Sequence, residues 1–265
     1  MCQAIPTKGV WLFAVIHKRP FAAVVLLVLA WAFLARPAQA GDSVTFALFT
    51  RGWPPFEMVV DGEARGAALD IFRVSMPKDV ETQIMMLPAS RSALRTSGDR
   101  VYTRLESLDW MDNESLYLWS DPVVRLRTVL VSRGDNPLEY RGEANLHGLT
   151  IGCIKSYSYP NVASLFKSGK ASRYDVNSDV VLLRMLKAGR VDVALFDEYT
   201  ARWIIHSSSE MNMNDFHVAK RELGSTELRF AFNRHPGWEA RLPEVNERIR
   251  ANRKAGVYKE IMDRY

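Results

Sequence analysis

The side chains best suited to chemistry in this 265-residue chain are one aspartate, the aromatics of a proline-rich loop, and a few hydroxyls and arginines. Asp197 directly follows the apolar run Val191 to Phe196 and opens the amphipathic run after it. An aspartate there stands at the carboxyl end of a strand, where open α/β sheets bind ligands. Its carboxylate can meet a cationic or hydrogen-bond-donating group, or it can cap the free amides of the next helix; the two roles are compatible. Trp53 and Phe56 belong to Trp53-Pro54-Pro55-Phe56, just after the first strand-like run. Two prolines lessen the entropy lost when such a loop grips a solute. An aromatic face there can stack on a planar or cationic group for about 0.5–2 kcal/mol, and core packing is the alternative for both rings.

A second loop, Lys155-Ser156-Tyr157-Ser158-Tyr159-Pro160, follows the apolar stretch Leu149 to Ile154 and leads into a helical pattern. Ser158 offers a hydroxyl and the helix start offers free amides to an anionic group. Tyr157 and Tyr159 would line an aromatic wall, and a solvent-exposed helix cap is the alternative reading. Arg91 and Arg104 carry the planar fork suited to bidentate carboxylate recognition, with surface charge as the alternative for each. His147, His206, His217 and His235 show no ligand-like spacing with one another or with Cys153, so no metal and no cofactor are expected. Cys153, alone in an apolar stretch, reads as a small buried hydrophobe.

The elements that must position these residues alternate. Val44 to Phe49 reads as a strand, Ala67 to Met76 as a helix, Gln83 to Leu87 as a strand and Ser90 to Thr96 as a short helix. Thr128 to Ser132 is strand-like and is followed by the turn-rich Arg133-Gly134-Asp135-Asn136-Pro137. A second series then runs Leu149 to Ile154 (strand), Asn161 to Lys167 (helix), Asp179 to Ala188 (helix), Val191 to Phe196 (strand), Glu198 to His206 (helix) and Phe216 to Ala219 (strand). After Gly224 come a strand, Glu227 to Phe232, and two helices, Trp238 to Asn252 and Val257 to Arg264. The order predicts an α/β chain of two lobes joined by two crossings: 41–132 with 222–265 as a discontinuous lobe 1, and 133–221 as an inserted lobe 2.

The first forty residues set the compartment. Lys18 and Arg19 precede the apolar run Phe21 to Ala35, and Ala38-Gln39-Ala40 reads as a cleavage site, the pattern of an export signal. The apolar run is shorter than the roughly 20 residues of a membrane-spanning helix. Removing residues 1–40 takes Lys8, Lys18, Arg19 and Arg36 and no acidic residue, so 31 basic side chains face 30 acidic ones and the formal +5 falls to +1. A nucleic-acid partner would need clustered basic excess, and that class is excluded. The mature chain is expected in the periplasm, as a monomer.

Four stretches resemble the extracellular solute-binding proteins of amino-acid ABC transporters, the type II periplasmic binding proteins. Trp53-Pro54-Pro55-Phe56 with Asp61-Gly62, Gly66 and Asp70-Ile71 looks like the family's W/Y-PPF, D-G, G and D-[IL] signature. Trp119-Ser120-Asp121-Pro122 is similar to its F-S-x-P. Leu146-His147-Gly148-Leu149-Thr150-Ile151-Gly152 looks like L-x-G-x-x-[IV]-G, and Ala188 to Asp197 is similar to A-G-R-x-D-A-x-x-x-D. The tail from Pro243 to Tyr265 resembles the family's C-terminal helices. The resemblance implies the type II two-lobed fold, a cleft that closes on a small solute, Asp197 as partner of its amine, the Ser158 loop near its carboxylate, and an ABC permease as partner. It implies no catalysis, although some similar export proteins are cyclohexadienyl or arogenate dehydratases; a ligand-binding accessory or sensor protein is the other alternative.

The chain departs from the family where amino-acid binders carry a carboxylate-gripping Arg about six residues before the aromatic at 119. Met111-Asp112-Asn113-Glu114 stands there instead. Arg91, which resembles a P-x-x-R found in divergent members, ranks first as its replacement, and Arg104 second.

Overall fold

The computed structural model describes residues 43–49, 52–87, 100–111, 113–155 and 157–265. The expected export signal (1–40) and the expected helix Ser90 to Thr96, which carries Arg91, lie outside the described residues. Among the described residues, twelve strands and six α-helices follow in order: β1 (Ser43–Phe49), β2 (Met58–Val60), β3 (Glu63–Arg65), α1 (Ala67–Ser75), β4 (Glu81–Leu87), β5 (Val101–Ser107), β6 (Tyr117–Trp119), β7 (Val124–Arg133), β8 (Thr150–Ile154), α2 (Ala163–Lys167), β9 (Ser172–Val176), α3 (Asp179–Lys187), β10 (Val193–Asp197), α4 (Glu198–Ser207), β11 (Phe216–Val218), β12 (Gly224–Asn233), α5 (Pro236–Lys254) and α6 (Val257–Met262).

The main sheet runs β4-β1-β5-β12-β7-β10-β8-β9. β1 lies parallel to β4 and β5, and β8 lies parallel to β9 and β10, so each half of the sheet is built from parallel strands. Two long antiparallel strands join the halves. Residues 224–228 of β12 pair with 124–128 of β7, after which β12 continues along β5 and β7 along β10. The packing changes sides at the same points. Val124, Leu126, Leu228, Phe230 and Phe232 belong to one core with Phe46, Phe72 and Trp238, whereas Val129 and Leu130 belong to cores on the two faces of β7-β10-β8. Two lobes, two crossings and a cleft between them follow from this arrangement.

Aromatic packing fixes the first half. Phe46 of β1 meets Phe72 of α1 at 5.2 Å between ring centroids, and Phe232 meets Trp238 at 5.1 Å. The C-terminus is tied to α1, since Asp70 Oδ2 accepts from the Tyr265 hydroxyl at 3.1 Å and from Arg264 at 3.2 Å. Gly224, at the second crossing, leaves room for Asn161: a Cβ there would lie 1.9 Å from the Asn161 amide nitrogen, which donates to the Leu223 carbonyl at 3.0 Å. Cys153 is fully buried, and burial pushes its thiol up to about 12. No helix among the described residues is long and apolar enough to cross a membrane.

The expected elements within the described residues are present, with shifted ends. The helix from 161 begins as a 3-10 turn at Pro160–Val162, because proline starts the turn without an amide donor. β7 extends back to Val124 through Arg125 and Arg127, whose charges hide its alternation. Strands β2, β3, β5, β6 and β9 were not expected. β5 hides its nature most fully, because its sequence VYTRLES carries Arg104 and Glu106 yet is buried nearly throughout.

Candidate functional site

The loop after β1 and the carboxyl end of β10 meet to build the site. On the first side stands the loop after β1. Trp53 and Glu57 bond to each other through both amides, at 2.7 and 2.8 Å, closing a tight bend around the cis Pro54–Pro55 peptide. The Pro55 and Phe56 carbonyls accept from the amides of Ala67 and Ala68 at 2.9 and 3.0 Å, so the loop caps α1, which has no side-chain cap. Gly66 is required for this approach: its φ is +132°, and a Cβ there would lie 2.2 Å from the Phe56 carbonyl oxygen. Beneath the loop, the buried Glu57 carboxylate accepts from the Phe49 amide at 3.1 Å.

On the second side, Asp197 ends β10 and caps α4, its Oδ1 accepting from the Thr200 amide at 2.7 Å. Its Oδ2 accepts from the Trp53 indole Nε1 at 3.3 Å, across the cleft. The Thr200 hydroxyl also crosses, donating to the Pro54 carbonyl at 2.7 Å. Burial pushes the Asp197 carboxyl up to about 6, against the pull of the hydrogen bonds from Thr200 and Trp53. Trp110, in the 3-10 turn after β5, stands edge-on to Trp53 with centroids 5.8 Å apart, and Tyr199 packs edge-on against Phe56 at the same separation.

Not all of the sequence candidates meet here. Asp197 and Trp53 come together. Phe56 is fully buried and serves as a core ring under Trp53, 4.5 Å between centroids, so its expected ligand contact is corrected to support. Tyr159 is also turned inward; its hydroxyl accepts from the Ile154 amide at 3.0 Å and braces the loop. Tyr157 and Ser158 are exposed and line an open hollow of about 460 Å³ with Lys155 and Arg173. Ser158 also borders a narrower crevice with Thr128 and Leu195, and Thr128 is the register partner of Asp197.

Arg104 is the clearest correction. It is only 5% exposed, its guanidinium carbon lies 3.4 Å from the Phe49 ring centroid, and its Nε is 3.0 Å from Glu106 Oε1. Two buried carboxylates hold it, Glu57 being the more distant at 4.0 Å. A buried charge must be paired, and here two carboxylates claim the guanidinium inside the fold. Burial pushes the Glu57 carboxyl up, and Arg104 pulls it the other way.

Thr200 and Tyr199 were not among the sequence candidates. A signal for Thr200 was present: Asp197-Glu198-Tyr199-Thr200 sets a β-branched hydroxyl on the first turn, beside the cap. Arg127 was missed as well. From the crossing strand β7 it meets Glu222 at 2.8 Å and also pairs with Glu198, beside the cleft. Among the described residues no group of His, Cys, Asp or Glu is arranged to hold a metal ion.

Comparison with solved structures settles the architecture. The chain aligns over 84% of its length with 99% of the second substrate-binding domain of a putative amino acid ABC transporter from Streptococcus pneumoniae, at TM-score 0.66 and 15% identity. The fold is that of the two-lobed solute-binding proteins. Substrate-binding domain 2 of Lactococcus lactis GlnP, in an open conformation, matches over 84% of this chain and 95% of its own, at TM-score 0.65 and 15% identity. An ancestral amino-acid-binding protein, described as a precursor of cyclohexadienyl dehydratase, matches over the same shares at TM-score 0.61 and 15% identity. No protein-family profile matches the chain, and no curated protein matches it in sequence.

Proposed function

We propose that this chain is a periplasmic solute-binding protein. It captures a small, polar, amino-acid-like metabolite by hinge closure and delivers it to an ABC importer. Residues 1–40 are its export signal, cleaved after Ala40; 41–132 with 222–265 form the first lobe and 133–221 the second, with β7 already packing into the second from Val129. It works as a monomer and without catalysis. The observation that carries the reading is the Asp197 carboxylate, at a strand's carboxyl end and directly opposite an aromatic side chain from the other lobe. Asp197 takes the solute's ammonium group, Trp53 and Trp110 cover its stem, and Tyr157 and Ser158 contact it from the second lobe. Arg91 takes the carboxylate in place of Arg104, which is committed to Glu106 and Glu57.

A binder raises its own melting point by mass action. Thermal-shift screening of residues 41–265 against amino acids, polyamines, sugars and organic acids is therefore expected to find an amine-bearing stabiliser. Stabilisation only by solutes lacking an amine would sink the assignment of Asp197. The likeness to a precursor of cyclohexadienyl dehydratase favours one second reading, an enzyme in which Asp197 or Glu198 serves as an acid. Turnover of prephenate or arogenate would establish it and overturn the receptor.

A further inference from the structure

Asp197 divides its hydrogen bonds between the lobes. Oδ1 is held by the Thr200 amide of its own helix, a bond that hinge motion does not touch, whereas Oδ2 is held by the indole of Trp53 from the opposite side. Beside it the Thr200 hydroxyl reaches the Pro54 carbonyl at 2.7 Å, and the Phe56 and Tyr199 rings meet edge-on. These three contacts join residues 53–56 to residues 197–200. The indole arrives on a stiff support, because the Trp53 and Glu57 amides bond to each other and Phe56 is fully buried. An indole N–H aimed at a carboxylate makes a charge-assisted bond, stronger than a neutral one.

We propose that Trp53 is a specificity-determining residue: its indole N–H competes with the solute for Asp197, and with the Thr200–Pro54 bond it latches the two lobes across the cleft. This rests on Asp197 being the solute's amine partner. A neutral donor gains little by replacing the indole, whereas a cationic nitrogen adds its charge to the hydrogen bond and wins the carboxylate. Trp53 therefore sets a threshold that favours cationic groups, and the latch populates the closed arrangement by protein contacts alone.

Two changes separate the parts of this device. Trp53→Phe keeps a ring and removes the N–H; Thr200→Val keeps the backbone amide that donates to the Asp197 cap and removes the crossing hydroxyl. Small-angle scattering of residues 41–265 with no added solute is expected to show a larger radius of gyration for each variant than for the parent. Equal radii in all three would overturn the latch. The competition is read with L-arginine as probe, on a chain carrying β-(3-benzothienyl)alanine at 53, where sulfur replaces the N–H at nearly constant shape. Its affinity is expected to rise about three- to tenfold, the scale of one hydrogen bond, and an unchanged or lower affinity would overturn the competition. Asp197→Asn separates the two layers. If it leaves L-arginine affinity unchanged, the amine assignment fails; if it weakens binding while the thienyl chain gains nothing, only the role of Trp53 fails. L-arginine binding none of the chains would overturn the preference for cationic groups, leaving only the latch.

Discussion

At the scale of single residues, Asp197 and Arg104 show how burial redirects charge. Asp197 stands at a cleft edge with its carboxyl pushed up to about 6. An ammonium ligand needs the ionised form, so affinity for an amine-bearing solute falls as pH drops through that value. A decline of about tenfold between pH 7 and pH 5 is expected, with a flat profile over that range in Asp197→Asn; calorimetric titration at the two pH values checks it. Arg104 was legible in the sequence as a fork for carboxylates, and that chemistry is what it performs, but on Glu106 and Glu57 inside the fold. Sequence could not distinguish an external from an internal partner, because Glu106 lies in a segment that reads as polar and Glu57 meets Arg104 only through the fold. Arg104→Ala leaves those carboxylates buried without their counter-charge. It is expected to cost about 3–5 kcal/mol of stability, measurable by denaturant unfolding, where a surface arginine would cost within about 0.5 kcal/mol.

At the scale of elements, the helices were readable because their periodicity reflects one buried face, and the apolar strands because they are buried on both faces and read as continuous apolar runs. Val44 to Phe49, Asp179 to Ala188 and Glu198 to His206 lie within one or two residues of β1, α3 and α4. β5 was not readable. Its ion pair and the Thr103 hydroxyl, which donates to the Ala231 carbonyl at 3.0 Å, satisfy polar groups that look solvent-facing in the sequence. The loop after β1 is the element that matters most to the site, and Pro54, Pro55 and Gly66 announced its stiffness. Their arrangement as a cap for α1 depends on contacts that only the fold supplies. Gly66→Ala puts a methyl group against the Phe56 carbonyl at a φ that side chains rarely adopt. A loss of about 1–3 kcal/mol is expected, together with weaker solute binding as the Trp53 loop shifts. Unfolding curves and titration of the same variant check both, and a stable variant with weakened binding would locate the effect in the loop alone.

At the scale of the whole molecule, two parallel half-sheets hang on one antiparallel pair, residues 124–128 with 224–228. Such a short two-strand connection concentrates bending at few residues, as hinge motions require. The two-lobed order was legible because the turn-rich break at 133–137 and the return after Gly224 bracket a complete α/β series. The contacts across the cleft were not, since they join residues 53–56 to residues 197–200, segments far apart in the chain. In the proposed function, closure of the two lobes traps an amine-bearing solute on Asp197. Isothermal titration of residues 41–265 and of Asp197→Ala with the strongest amine-bearing stabiliser from the thermal screen tests it most directly. Saturable heat is expected in the parent chain, with at least a tenfold loss of affinity in the variant; equal affinity in the two would rule out Asp197 as the solute's amine partner.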